Sequence, residues 1–171
     1  MIFRPEAALL PLIARTSNAI HLHLAGLLEE AGADMTPEEA MTMRMVSAFR
    51  VNSVSKLAEA MLKDRTTVTR FVNQLEARGL LSRTKDPEDR RATVLTITEK
   101  GHEAIQHFDT NIIAAVQSMF AGLPIEDIIA TNRVLYTILH RCGANSAPLA
   151  PGLGDNFPFS PSSELRNSRA F

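Results

Sequence analysis

The chain contains 171 residues, 45% of them apolar and 22% charged, with 18 Lys and Arg against 19 Asp and Glu for a formal net charge of -1. This supplies an ordinary core for one domain or two small ones, and the near-neutral balance excludes a globally basic binder of nucleic acid or membrane surfaces. No apolar run approaches the roughly 20 residues that cross a bilayer, and the opening residues lack the order of a signal peptide, so a cytoplasmic protein without a membrane partner is expected.

Apolar side chains recur at three- and four-residue steps through Leu9, Leu10, Ile13, Ile20, Leu24, Leu27 and Leu28, which predicts a first helix ending at Gly32. Pro11 lacks an N–H, so residues 1 to 9 are expected to form an arm or a kinked first turn. Thr36-Pro37-Glu38-Glu39 sets a hydroxyl at the N-cap, proline at the first helical position and a carboxylate three residues after the cap. That is a capping box, and it starts a second helix through Met41, Met45, Val46 and Phe49. Ser53 caps a short third helix carrying Val54, Leu57, Ala58 and Met61. Asp64 caps a fourth, with Val68, Phe71, Val72 and Leu75 on its inner face and Gly79 as its stop.

Two β-type runs follow, Leu80 to Thr84 and Ala92 to Ile97, joined by Asp86-Pro87-Glu88-Asp89-Arg90-Arg91; they predict a hairpin with a charged tip. Thr98 opens a fifth helix carrying Ile105, Phe108, Ile112, Ile113, Val116, Met119 and Phe120. Gly122-Leu123-Pro124 stops it and starts a sixth that runs to about Arg141. From 143 to 171, 15 of 29 residues are Gly, Pro, Ser or Asn and no period survives, which predicts a tail of low regularity.

The fold class is therefore mainly α with a small β-hairpin wing: six helices around a winged helix-turn-helix. Charge supports that placement, since residues 50 to 100 hold 11 Lys and Arg against 7 Asp and Glu while the flanks are acidic. On the fourth helix Arg65, Thr66, Thr69, Arg70 and Asn73 lie opposite the apolar face. Arg suits guanine O6 and N7, Asn suits adenine, and the hydroxyls suit phosphates or base edges. At the hairpin tip, Asp89 can hold one of Arg90 and Arg91 while the other faces a minor groove. Lys56, Arg83, Arg90 and Arg91 are candidate phosphate contacts.

Ser55-Lys-Leu-Ala-Glu-Ala-Met, Thr67-Val-Thr-Arg-Phe-Val-Asn-Gln-Leu-Glu-Ala-Arg-Gly-Leu-Leu-Ser-Arg, Asp86-Pro-Glu-Asp-Arg-Arg and Leu95-Thr-Ile-Thr-Glu-Lys-Gly together resemble the MarR family of bacterial transcription regulators. The resemblance spans about residues 36 to 101. It implies an intertwined two-fold dimer, a fourth helix that reads DNA, and an Asp-x-Arg wing pair matching Asp89 and Arg91. It also implies a homodimer on a pseudo-palindromic double-stranded operator, often released by a small ligand. Ser55 and Thr67 join the DNA-binding set on this basis. The expected division is 1–35 as an N-terminal dimerisation helix, 36–98 as the winged DNA-binding domain, 99–142 as C-terminal dimerisation helices, and 143–171 as the tail. The first, fifth and sixth helices carry more apolar surface than one small winged domain covers, which independently favours a two-fold partner.

A pocket between the dimerisation helices and the winged domain is a further implication of the resemblance. Arg15, Asn18 and His21 on the first helix, with Met41, Met45 and Phe49 on the second, are its candidate lining for an aromatic or anionic effector. A metal-responsive reading is weaker: His21 and His23 are two apart and His102 and His107 five apart, against the three or four that place two ligands on one helix face. A redox-responsive reading has only Cys142, at the end of the sixth helix. No phosphate loop, nucleophile elbow or apolar carboxylate pair appears, so no enzyme activity, catalytic residue, metal or cofactor is expected. A winged helix used for protein contacts would want an acidic or apolar fourth helix, against the Arg-Thr-Thr-x-Thr-Arg run.

Overall fold

The computed structural model describes residues 5–49, 51–85 and 93–143, with side chains from Ala7 onward. Its elements in chain order are α1 (Pro5–Glu30), α2 (Pro37–Ser47), α3 (Val54–Ala60), α4 (Arg65–Ala77), β1 (Leu81–Lys85), β2 (Thr93–Ile97), α5 (Glu99–Phe120) and α6 (Ile125–Arg141). Thr36 forms the expected capping box with Glu39, and Ser53, Asp64 and Thr98 each accept a backbone N–H three residues on. Gly79, with a φ of 70°, follows the Arg78 cap of α4 in the left-handed region where a β-carbon is costly.

The first helix departs from its expected start. It begins at Pro5 and keeps Pro11 inside it. Pro5 has the φ that a first helical position needs, and Ala7, Ala8, Leu9 and Leu10 are strong helix formers. Together they carry the helix past the bond that Pro11 cannot donate.

The core is built around the three helices of the winged unit. Met43, Leu57, Val68, Val72 and Leu75 are wholly buried, joined by Leu81 and Leu95 from the hairpin. It also draws in Leu28 from the last turns of α1, and Ile105 and Phe108 from the first half of α5, so it crosses both expected boundaries of the winged domain. β1 and β2 pair antiparallel, with Leu81 opposite Ile97 and Lys85 opposite Thr93. The Leu95 N–H donates to the Asn52 carbonyl at 2.8 Å, which fastens the wing to the α2–α3 connection.

Polar contacts hold the flanking helices to each other and to this unit. His107 Nε2 donates to the Ala31 carbonyl at 2.8 Å, and Arg44 pairs with Asp109. Beyond Phe108 the picture changes: Ile113, Val116 and Phe120 on α5 are exposed, and α6 buries no side chain. Among the described residues no single helix is long and apolar enough to cross a membrane.

Arg78 is the junction of the whole arrangement. One guanidinium nitrogen donates to the Asp34 carbonyl, and Nε donates to the Gln74 carbonyl at 3.3 Å. The other terminal nitrogen stands 2.9 Å from Glu39 Oε1, close enough for an ion pair but not aligned as a hydrogen bond. Its own carbonyl accepts Lys100 Nζ at 2.9 Å.

Gly101 marks how tightly α5 seats on the wing. A β-carbon there would overlap the Leu80 carbonyl oxygen and lie 2.8 Å from Ile97 Cγ2. The backbone obstacle cannot rotate away, so Gly101→Ala is expected to destabilise the fold by about 1–3 kcal/mol, as overpacking does. Thermal unfolding checks this: an unchanged or raised melting temperature would contradict the close contact.

Candidate nucleic-acid interface

The presentation of α4 starts at its N-cap. Asp64 Oδ1 accepts the Thr67 N–H at 2.8 Å, and Oδ2 accepts the Thr67 hydroxyl at 2.6 Å. These bonds, the hydroxyl's first, hold the Asp64 carboxyl below the ordinary aspartate range. The preceding turn passes through Leu62, whose φ of 50° is unusual for a branched residue and swings the chain from α3 into α4.

With Val68, Phe71, Val72 and Leu75 buried, the opposite side of α4 faces outward. The structure brings Arg65, Thr66, Thr69, Arg70 and Asn73 together along one shallow, open depression of about 570 Å³, which Gln74 and Ala77 extend. Three of these groups, Thr69, Arg70 and Asn73, already have intramolecular partners. The Thr69 hydroxyl donates to the Arg65 carbonyl at 2.6 Å, and the Arg70 guanidinium lies 5.7 Å from the centre of the Phe71 ring. Thr67 is half-buried and spent on the cap, which separates it from the outward-facing group. Ser55 and Lys56 are exposed on α3.

Arg83 departs from the expectation of a phosphate anchor in being already paired. It reaches back from β1 to form an ion pair with Glu76, and its Nη2 donates to Asn73 Oδ1 at 2.7 Å. Glu76 escaped the sequence reading, although its position three residues after Asn73 puts both on one helical face. Asp89, Arg90 and Arg91 lie outside the described residues.

The six effector candidates are spread along α1, α2 and the residues just after α2. Arg15 and Asn18 are exposed, His21 lies 3.7 Å from Glu38, Met41 is exposed, Met45 belongs to the core and Phe49 packs against it. A crevice of about 750 Å³ opens instead between the end of α1, the start of α2 and the end of α4, bordered by Glu29, Met35, Glu39 and Arg78. Sequence reasoning missed it because its walls come from residues far apart in the chain. Among the described residues no three His, Cys, Asp or Glu side chains converge as a metal site. Cys142 is exposed at the end of α6.

Residues 35–93 match the model of the MarR family. The HTH-type transcriptional regulator YdgJ of Bacillus subtilis (strain 168), itself uncharacterized, is 32% identical over 93 residues, 54% of each chain. The alignment thus spans about half the length of that relative. Among solved structures, the S. aureus MepR–DNA complex superposes with a TM-score of 0.70 at 20% identity, over 77% of this chain and 94% of that one. CouR from Rhodococcus jostii RHA1, bound to p-coumaroyl-CoA, superposes with a TM-score of 0.66 at 26% identity, over 74% of this chain and 88% of that one. Six helices and a two-stranded wing are the architecture shared with these proteins.

The Asp64 cap yields a pH-dependent expectation. Because its folded carboxyl titrates below the unfolded value, its contribution is complete above about pH 4 and is lost as pH falls through the lower folded value. Asp64→Ala should therefore lower the melting temperature at pH 7 relative to the parent, with the gap narrowing below about pH 4. Melting curves of both proteins across that range check it, and a gap independent of pH would contradict the charged cap.

Proposed function

We propose, from the premise that residues 35–93 are a MarR-family domain, that the chain is a sequence-specific regulator of transcription, a homodimer that binds a pseudo-palindromic double-stranded operator. The observation that carries this reading is the outward side of α4, where Arg65, Thr66, Thr69, Arg70 and Asn73 share one open face. Its width and polarity suit a major groove, with Arg70 and Arg65 as donors to guanine or phosphate. Ser55 and Lys56 on α3 add backbone contacts, and Asp89, Arg90 and Arg91, between the two strands in sequence, add contacts to the minor groove or phosphates. A protein-docking use of the same helix is disfavoured by this basic, hydroxyl-rich face.

Two further features complete the proposal. The exposed apolar residues of α5 and the unburied α6 supply a dimer surface, and a two-fold axis lets two copies of α4 meet half-sites about one DNA turn apart. The crevice beside Arg78, walled by α1 and by the winged unit, is the proposed site for a small aromatic or anionic effector. A ligand there shifts operator affinity by favouring one placement of α1 against α4. The CouR complex with p-coumaroyl-CoA supports an effector of this general kind. A free dimer that occupies its operator and leaves when the effector binds acts as a repressor.

An operator selected from random duplex DNA tests the central claim. Arg70→Glu should weaken binding by at least about 10-fold, and affinity should fall steeply with salt as counterions are released. Fluorescence anisotropy on cognate and random duplexes reads both effects. Tight binding by the variant, or affinity indifferent to salt, would contradict the proposal.

A further inference from the structure

We infer that Arg83 is a positioning residue that sets which hydrogen-bonding face Asn73 offers to a base; the inference rests on the DNA-binding reading above. Asn73 Oδ1 accepts from Arg83 Nη2 at 2.7 Å. A guanidinium has donors only, so the amide atom turned toward it must be the oxygen. The NH₂ group is then the end left for a partner beyond the helix.

Glu76 holds the other side of the same guanidinium. It stands one helical turn after Asn73, so Arg83 spans two acceptors on one face of α4. Arg83 itself sits in β1 opposite Leu95 on β2, which in turn is fastened to the Asn52 carbonyl. The orientation of one side chain on α4 is thereby referred to the hairpin. Glu76 also balances the charge of Arg83, which makes this arginine a poor phosphate anchor.

The consequence is a specificity. Bidentate recognition of adenine needs an acceptor and a donor from the same amide. An Asn73 whose oxygen is held on the Arg83 side leads with its NH₂ group, which suits guanine O6 and N7 or thymine O4, whereas adenine sets an N6 donor beside its N7 acceptor and asks for the amide oxygen as well. Cytosine, which offers only an N4 donor at that edge, is rejected. Arg83→Lys separates this role from phosphate anchoring, because lysine keeps the charge but lacks the planar fork that spans both acceptors.

The experiment is site selection from random duplexes with the full chain, followed by affinities on single-base variants. Asn73→Ala identifies the base position that depends on Asn73. There the parent should prefer guanine or thymine over cytosine by about 5-fold or more, and Arg83→Lys should reduce that preference to under about 2-fold while other positions keep theirs. Melting curves establish that each variant is folded, and Glu76→Gln, which weakens the ion pair while leaving Arg83 and Asn73 unsubstituted, should shift the same position in the same direction. Preference for adenine or cytosine in the parent would overturn the inference. So would an Arg83→Lys protein with parental base preferences, or an Asn73→Ala protein that alters no position. Failure of the parent to select any duplex would instead overturn the DNA-binding reading itself.

Discussion

The ion pair between Arg78 and Glu39 joins the end of α4 to the start of α2, and several other contacts depend on where it holds the arginine. Glu39 is only 5% exposed, and it serves two masters: one oxygen closes the capping box on the Thr36 N–H at 2.9 Å, the other faces Arg78. Removing one partner of a buried pair costs on the order of 3–5 kcal/mol because a charge is left uncompensated, with the lower end fitting a partly exposed arginine. The same guanidinium takes the Asp34 carbonyl, so the loop leaving α1, the start of α2 and the end of α4 converge on one side chain. Lys100 adds α5 through the Arg78 carbonyl. The crevice of about 750 Å³ borders this junction.

The polar side of α4 is less free than its composition suggests. Thr67 is committed to the Asp64 cap, Thr69 to the Arg65 carbonyl, and the Asn73 oxygen to Arg83. These internal bonds restrict side chains that would otherwise lose rotamer entropy on meeting a partner. A recognition surface made this way trades the number of available groups for their orientation.

Apolar surface is divided unequally. The winged unit buries its own, together with Leu28, Ile105 and Phe108. Beyond Ile112 the rest of α5, the connection after it and α6 lie outside that core, with Phe120, Leu123, Ile125 and Val134 among the exposed side chains. Apolar area of this extent on helices that flank a compact unit favours burial against another surface, and the proposed dimer provides it.

The local features of this fold were legible in the chain itself. Caps at Thr36, Ser53, Asp64 and Thr98 act over three residues, and the buried stripe of α4 follows from helical spacing alone. The first strand needed only a one-residue shift, to Leu81–Lys85, and the second is strand from Thr93 to its expected end at Ile97. Which outer residues of α4 share a face was equally plain, since 3.6 residues per turn groups Arg65, Thr66, Thr69, Arg70 and Asn73 without reference to anything else. The partners of Arg78 and Arg83 were not. Asp34 is 44 residues from Arg78, and Asn73 is ten from Arg83 across the turn into the wing. Only the packed arrangement of α1, α4 and the hairpin selects among the many carboxylates and carbonyls that a long, flexible arginine can reach. Periodicity is a property of the backbone and is written locally; the pairing of charges depends on distances that exist only after the chain has closed on itself.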